Sequence, residues 1–239
     1  MVGRDTVGDV ILSLDVTPKA TTIDGKPVLH PEIDTELHCD QGGLIGLGHW
    51  LLPRIPYRER STFIVDWDLS LAPPGTRASW SYAEGEAQST KSGPNDMLLG
   101  AVFMVGPIVT FPAQETTTRD LSGIPLIHWF GELPACLEPI KKYNADIFLY
   151  TKSVFQDPNA ASKVYIRKVP RAFSAVNFSS CYILQYSDQD KPHHTTQLIQ
   201  YMTHEMVHNW AYLGDEPDGY ENLWFIEGII RYSLTISIY

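Results

Sequence analysis

Four residues near the C-terminal end of the 239-residue sequence have the types and spacing to act on one water molecule: His204, Glu205, His208 and Glu227. Two histidines four positions apart on an α-helix differ by about 40° of rotation and roughly one turn of rise, so both imidazoles reach a single ion. Zinc takes nitrogen ligands of this kind, and a catalytic zinc keeps three protein ligands and one open position for water. Zinc lowers the pKa of that water to about 7, and Glu205, next to the first histidine, is placed to take its proton. His204, Glu205 and His208 thus form an HExxH pattern, which carries this chemistry only when it lies on a helix.

On its own the pattern is also what a charged turn of an amphipathic helix looks like. The third ligand decides between the two. Eighteen residues separate His208 from Glu227, enough to leave the first helix, turn at Asp218-Gly219 and return on a second, 220–232 (YENLWFIEGIIRY). Glu227 is flanked by Trp224, Phe225, Ile226, Ile229 and Ile230, where an unpaired carboxylate is costly to bury and a metal resolves the cost. Glu221 is either a carboxylate hydrogen-bonded to a ligand histidine or an acid favoured by the positive end of the helix dipole.

The elements that must hold these residues are legible in the apolar pattern. Over 194–213, Leu198, Ile199, Met202, Met206 and Trp210 recur at helical spacing, with Asp190 and Pro192 as start signals and Gly214 as a stop. Upstream, 133–143 reads as helix, and 163–170 and 179–186 as strands. Residues 1–127 read as a β-rich domain with strands over 10–16, 61–70, 77–85 and 98–106, and 128–239 as a second, mixed domain. In 61–70, Phe63, Val65, Trp67 and Leu69 share one face of a half-buried strand. The glycines and prolines of 41–56 (QGGLIGLGHWLLPRIP) suggest a loop or a broken helix.

Composition excludes several classes. A net charge of −10, with no compensating basic run, repels a phosphate backbone, so nucleic acid is not an expected partner. No segment approaches the roughly 20 apolar residues needed to span a bilayer. The N-terminus lacks the basic start and apolar middle of a signal peptide, and Cys39, Cys136 and Cys181 have no CxxC spacing. The expectation is a cytoplasmic protein with reduced thiols.

HEMVHNW followed at this gap by LWFIEG resembles the gluzincin aminopeptidases, the M1 and M61 peptidase families. Trp210 matches the tryptophan that follows the second histidine there. The resemblance implies an α+β, thermolysin-like zinc-peptidase fold after the β-rich domain, Zn²⁺ held by His204, His208 and Glu227, Glu205 as general base, and hydrolysis of a peptide's N-terminal residue. It also implies that a strand over 179–186 runs beside the metal helix and binds extended substrate, with Asn177, Ser179 and Ser180 as substrate contacts and Cys181 near the cleft. Two departures stand out. The upstream stretch SAVNFSSC (174–181) places Asn177 where the M1 pattern carries an acid for the substrate's amino group, and only twelve residues follow Glu227, where the families place a further tyrosine. A second reading therefore stays open: a non-catalytic zinc-binding homologue, or a truncated fragment, acting as an interaction module.

Overall fold

The structure is a computed structural model that describes residues 11–19, 35–54, 60–85, 87–113, 123–170, 173–178, 180–188 and 195–210, with the backbone of 22–23 and 26–27 and Gly228. Strands and helices are numbered in chain order. After a two-residue ribbon of β1 (Thr22–Ile23) and β2 (Lys26–Pro27), an antiparallel sheet runs in the order β3 (His38–Asp40), β4 (Gly43–Leu47), β9 (Val102–Gly106), β6 (Arg77–Trp80) and β7 (Ala83–Glu84). β5 (Arg60–Val65) and β8 (Ser89–Pro94) form a separate antiparallel ribbon.

The second five-stranded sheet is mixed, in the order β10 (Ile108–Phe111), β11 (Leu126–Phe130), β12 (Lys163–Lys168), β14 (Cys181–Tyr186) and β13 (Ser174–Phe178). Its three central strands are parallel and its outer strands antiparallel. A parallel pair needs a long crossover, and α2 (Ile140–Val154) supplies it between β11 and β12. β10 comes from residues before 127, so this sheet draws its outer strand from the N-terminal side of the β-rich segment's expected end.

Alternation explains why the central strands are so apolar. Ile127, Trp129, Val164, Ile166, Tyr182 and Leu184 point to one face, where α2 and α3 (Thr195–Val207) cover them. Phe130, Tyr165, Cys181 and Ile183 point to the other, against Ile45, Leu47, Val102 and Met104 of the antiparallel sheet. Strands buried on both faces read as continuous hydrophobic runs, which is how 163–168 and 181–186 are recognisable in the sequence.

Three local expectations change. Segment 41–56 is neither loop nor broken helix at its start: it forms β4 and then the short α1 (Gly48–Leu51). Its glycines serve close packing. A Cβ on Gly43 would stand 2.2 Å from the Phe130 ring, and one on Gly46 would stand 2.8 Å from the Leu37 backbone. The helix expected over 133–143 begins at Ile140, because Pro134 and Pro139 cannot donate within a helix and Pro139 occupies its N-cap. Residues 11–16 alternate like a strand, but Ile11, Leu12 and Leu14 are exposed and form no strand; nearby, Lys19 makes an isolated bridge to His38. The strand expected over 61–70 is β5 (Arg60–Val65): it keeps the half-buried face through Phe63 and Val65 but ends before Trp67 and Leu69. No helix among the described residues is long and apolar enough to cross a membrane.

Candidate active site

α3 is helical for the reason its pattern suggests: Leu198, Met202 and Met206 recur every four residues and are fully buried against the mixed sheet and α2. The adjoining face turns Gln197, Gln200, Tyr201 and His204 toward a cavity of about 440 Å³, lined also by Glu205 and by Ala175 of β13. Tyr201 meets Phe173 edge-on at 4.9 Å beside it.

The two histidines converge. Nε2 of His204 and Nε2 of His208 lie 3.3 Å apart, with the ring planes at 80°. Two nitrogens each about 2.0–2.1 Å from a tetrahedral zinc stand about 3.3–3.4 Å from one another, so the pair already has the bite such an ion requires. With one ring protonated at Nε2, the same spacing serves as a long hydrogen bond. Glu205 is only 5 % exposed yet lines the cavity beside His204. Glu227 and Glu221 lie outside the described residues; among those described, no three His, Cys, Asp or Glu side chains group closely enough to hold an ion.

The end of α3 is pinned at several points. Asn209 N–H donates to Met206 O at 3.1 Å and Trp210 N–H to Val207 O at 2.9 Å, so the last turn tightens at His208. The Asn209 side chain also donates to Met206 O at 3.1 Å. Trp210 stacks on Phe155 just beyond α2, and its Nε1–H donates to Asp157 Oδ2 at 3.2 Å. Asn177 Nδ2 donates to the backbone carbonyl of Glu205 at 2.8 Å.

Two of the three expected substrate contacts fall on one hairpin. Asn177 is in β13 and Ser180, at φ +62°, directly precedes β14; Ser179 lies outside the described residues. The strand expected over 179–186 forms beside α3, but it does not present the sheet edge expected to bind substrate. β14 spans Cys181–Tyr186 and is hydrogen-bonded on both sides, to β12 and β13, so its backbone has no edge to offer. The outer strand on this side of the sheet is β13, the strand that carries Asn177 and borders the cavity through Ala175. Cys181 faces the other way, its Sγ 3.1 Å from Ser81 Oγ between the two sheets.

Two residues without any pattern in the sequence belong to the surroundings of the site. Tyr182 is fully buried and donates to Asn144 Oδ1 at 3.2 Å. Burial, and after it the negative charge of Glu205, hold its phenol well above the ordinary value, so it stays a neutral donor. Asp157 caps its own turn through the Asn159 amide at 3.0 Å while its second oxygen takes the Trp210 indole. The Asp-Pro-Asn turn signal is visible at 157–159, but nothing local points to Trp210.

No protein-family model matches this chain, and no curated protein does. Solved structures do. An aminopeptidase N family protein from Idiomarina loihiensis superposes with a TM-score of 0.61 at 17 % identity, over 83 % of this chain and 37 % of its own. A two-domain M1 zinc metallopeptidase variant, bound to L-tryptophan, superposes with a TM-score of 0.50 at 15 % identity, over 91 % of this chain and 50 % of its own. The fold resembles that of the M1 zinc metallopeptidases. This chain spans half or less of the length of either protein.

Proposed function

We propose that this chain is a zinc-dependent metallopeptidase of the gluzincin type, an aminopeptidase, with residues 1–127 as a β-rich domain and 128–239 as the first part of a thermolysin-like catalytic domain. His204, His208 and Glu227 would hold the zinc. When bound, zinc supplies a Lewis acid that polarises the scissile carbonyl and acidifies the attacking water. Glu205 takes the proton of that water and passes it to the departing amine, which is why a carboxylate must border the same cavity as the histidines. Glu221 is proposed to orient a ligand histidine. Ser179, Ser180 and Asn177 are proposed to contact substrate, Asn177 through its oxygen, because its amide nitrogen already donates to Glu205 O and, at 3.5 Å, to Cys181 O. The proposed setting is the reducing cytoplasm, which suits three cysteines that form no disulfide.

The observation that carries the reading is the 3.3 Å separation of the two Nε2 atoms beside a buried glutamate. A second reading, a zinc-binding module without peptidase activity, is favoured by Asn177, which offers a peptide's amino group no charge. Metal analysis of the purified protein, with hydrolysis of a panel of aminoacyl reporters, tests both. About one zinc per chain with turnover supports the enzyme, and zinc without turnover supports the module. A protein that takes up no zinc refutes both.

A further inference from the structure

We propose that Asn177 is a positioning residue: a strut from the edge of the mixed sheet that holds the C-terminal turn of α3, and so keeps His208 in the posture that closes on one ion with His204. The proposal rests on the zinc reading above. The last four carbonyls of a helix lack the amide four residues on, and an unsatisfied one frays or finds another donor. In α3 the Asn209 amide turns to Met206 O, three residues back, rather than to Glu205 O, four residues back. Asn177 Nδ2 fills that place at 2.8 Å from 28 residues upstream.

The strut is rigid at its base. Asn177 sits opposite Tyr182 in the β13–β14 register, and its amide also points to Cys181 O, 3.5 Å away, across the same hairpin. His208 is the first residue after α3, three positions beyond the carbonyl that is held. Fixing that carbonyl therefore fixes the turn from which the second imidazole projects. An acid at 177 would bring acceptor against acceptor. The amide that departs from the M1 pattern is what this helix end requires.

The test uses the whole chain as wild type, Asn177→Ala, the isosteric Asn177→Asp, and Val176→Ala. Val176 packs on the opposite cluster, between the sheets, and serves as a control for general loosening of β13. Metal-free amide exchange is followed at residues 206–210, and zinc affinity is measured by chelator competition at pH 7.5. Exchange in that turn should quicken about tenfold or more in both Asn177 variants. Zinc affinity should fall about 10- to 100-fold, the usual range for residues that orient ligands. Val176→Ala should leave both unchanged. Wild-type exchange and affinity in Asn177→Asp, or an equal loss of affinity in Val176→Ala, would overturn the strut while leaving the zinc reading intact. A wild type that takes up no zinc overturns both.

Discussion

The indole of Trp210 lies flat on the ring of Phe155, with centroids 5.1 Å apart and planes within 5°. Phe155 follows α2 and Trp210 follows α3, so one stacked pair ties together the ends of the two helices that cover the sheet. The turn bearing His208 lies directly upstream of that tie.

Trp210→Ala should therefore cost stability as well as order at the site. Losing a half-buried indole, its stack and its bond to Asp157 is expected to cost about 2–3 kcal/mol in urea unfolding, somewhat less than a fully buried tryptophan. Trp210→Phe keeps the stack and should recover about half. An alanine variant as stable as wild type would show that the stack contributes nothing.

In the proposed site, Glu205 is the residue whose substitution would separate catalysis from metal binding. Glu205→Gln keeps the shape of a residue that is not a ligand, so zinc content should hold while turnover falls about 10²–10⁴-fold. His204→Ala should lose both metal and activity. Measuring zinc and rate on the same preparations checks this. A glutamine variant at full activity would remove Glu205 as the base, and one that lost its zinc would make it a support for the metal instead.

Away from the site, Glu84 bridges the two sheets. Its Oε1 lies 3.0 Å from His128 Nε2 and 2.6 Å from Lys163 Nζ. Burial would raise this carboxyl, but His128 and Lys163 outweigh it and hold the group below its ordinary value. Burial depresses Lys163 too, and Glu84 offsets that only in part, so it is the acid limb that Glu84 controls. A depressed carboxyl gives stability that is complete above its unfolded pKa, about 4.5, and is lost as pH falls through the folded value. Glu84→Gln should cost about 2 kcal/mol at pH 7, below the 3–5 kcal/mol of a fully buried pair because Glu84 is partly exposed. The gap from wild type should narrow below about pH 4. A gap that is constant from pH 7 to pH 3 contradicts this assignment.

The three cysteines should react in order of exposure. Cys39 is exposed, Cys136 intermediate and Cys181 buried, with burial pushing the Cys181 thiol up to about 11. At pH 8 only about one Cys181 in a thousand is then a thiolate, the form that reacts. Iodoacetamide should label Cys39 first, and label Cys181 only along the denaturant unfolding curve, as mass spectrometry can follow. Native labelling of Cys181 at the rate of Cys39 would contradict the packed interface between the sheets.

What the sequence by itself determined is local and periodic. The spacing of Leu198, Met202 and Met206 marks a helix within 194–213, and a helix decides that His204 and His208 face the same point; that it ends at Val207 is read only from the structure. The runs 163–170 and 179–186 mark two strands; that both of their faces are covered is seen only in the structure. Strand order, by contrast, is no property of any one segment. That Ser174–Phe178, and not Cys181–Tyr186, is an outer strand follows from β12 pairing with β14 rather than with β13, the strand next to it in the chain. The same holds for Gly43, which reads as a loop signal but is a glycine because Phe130, 87 positions away, lies on it. Asn177, read alone, is an acid that is missing; only the packing of α3 against β13 brings its amide to the Glu205 carbonyl, because a hydrogen bond across 28 residues exists only after both elements have docked.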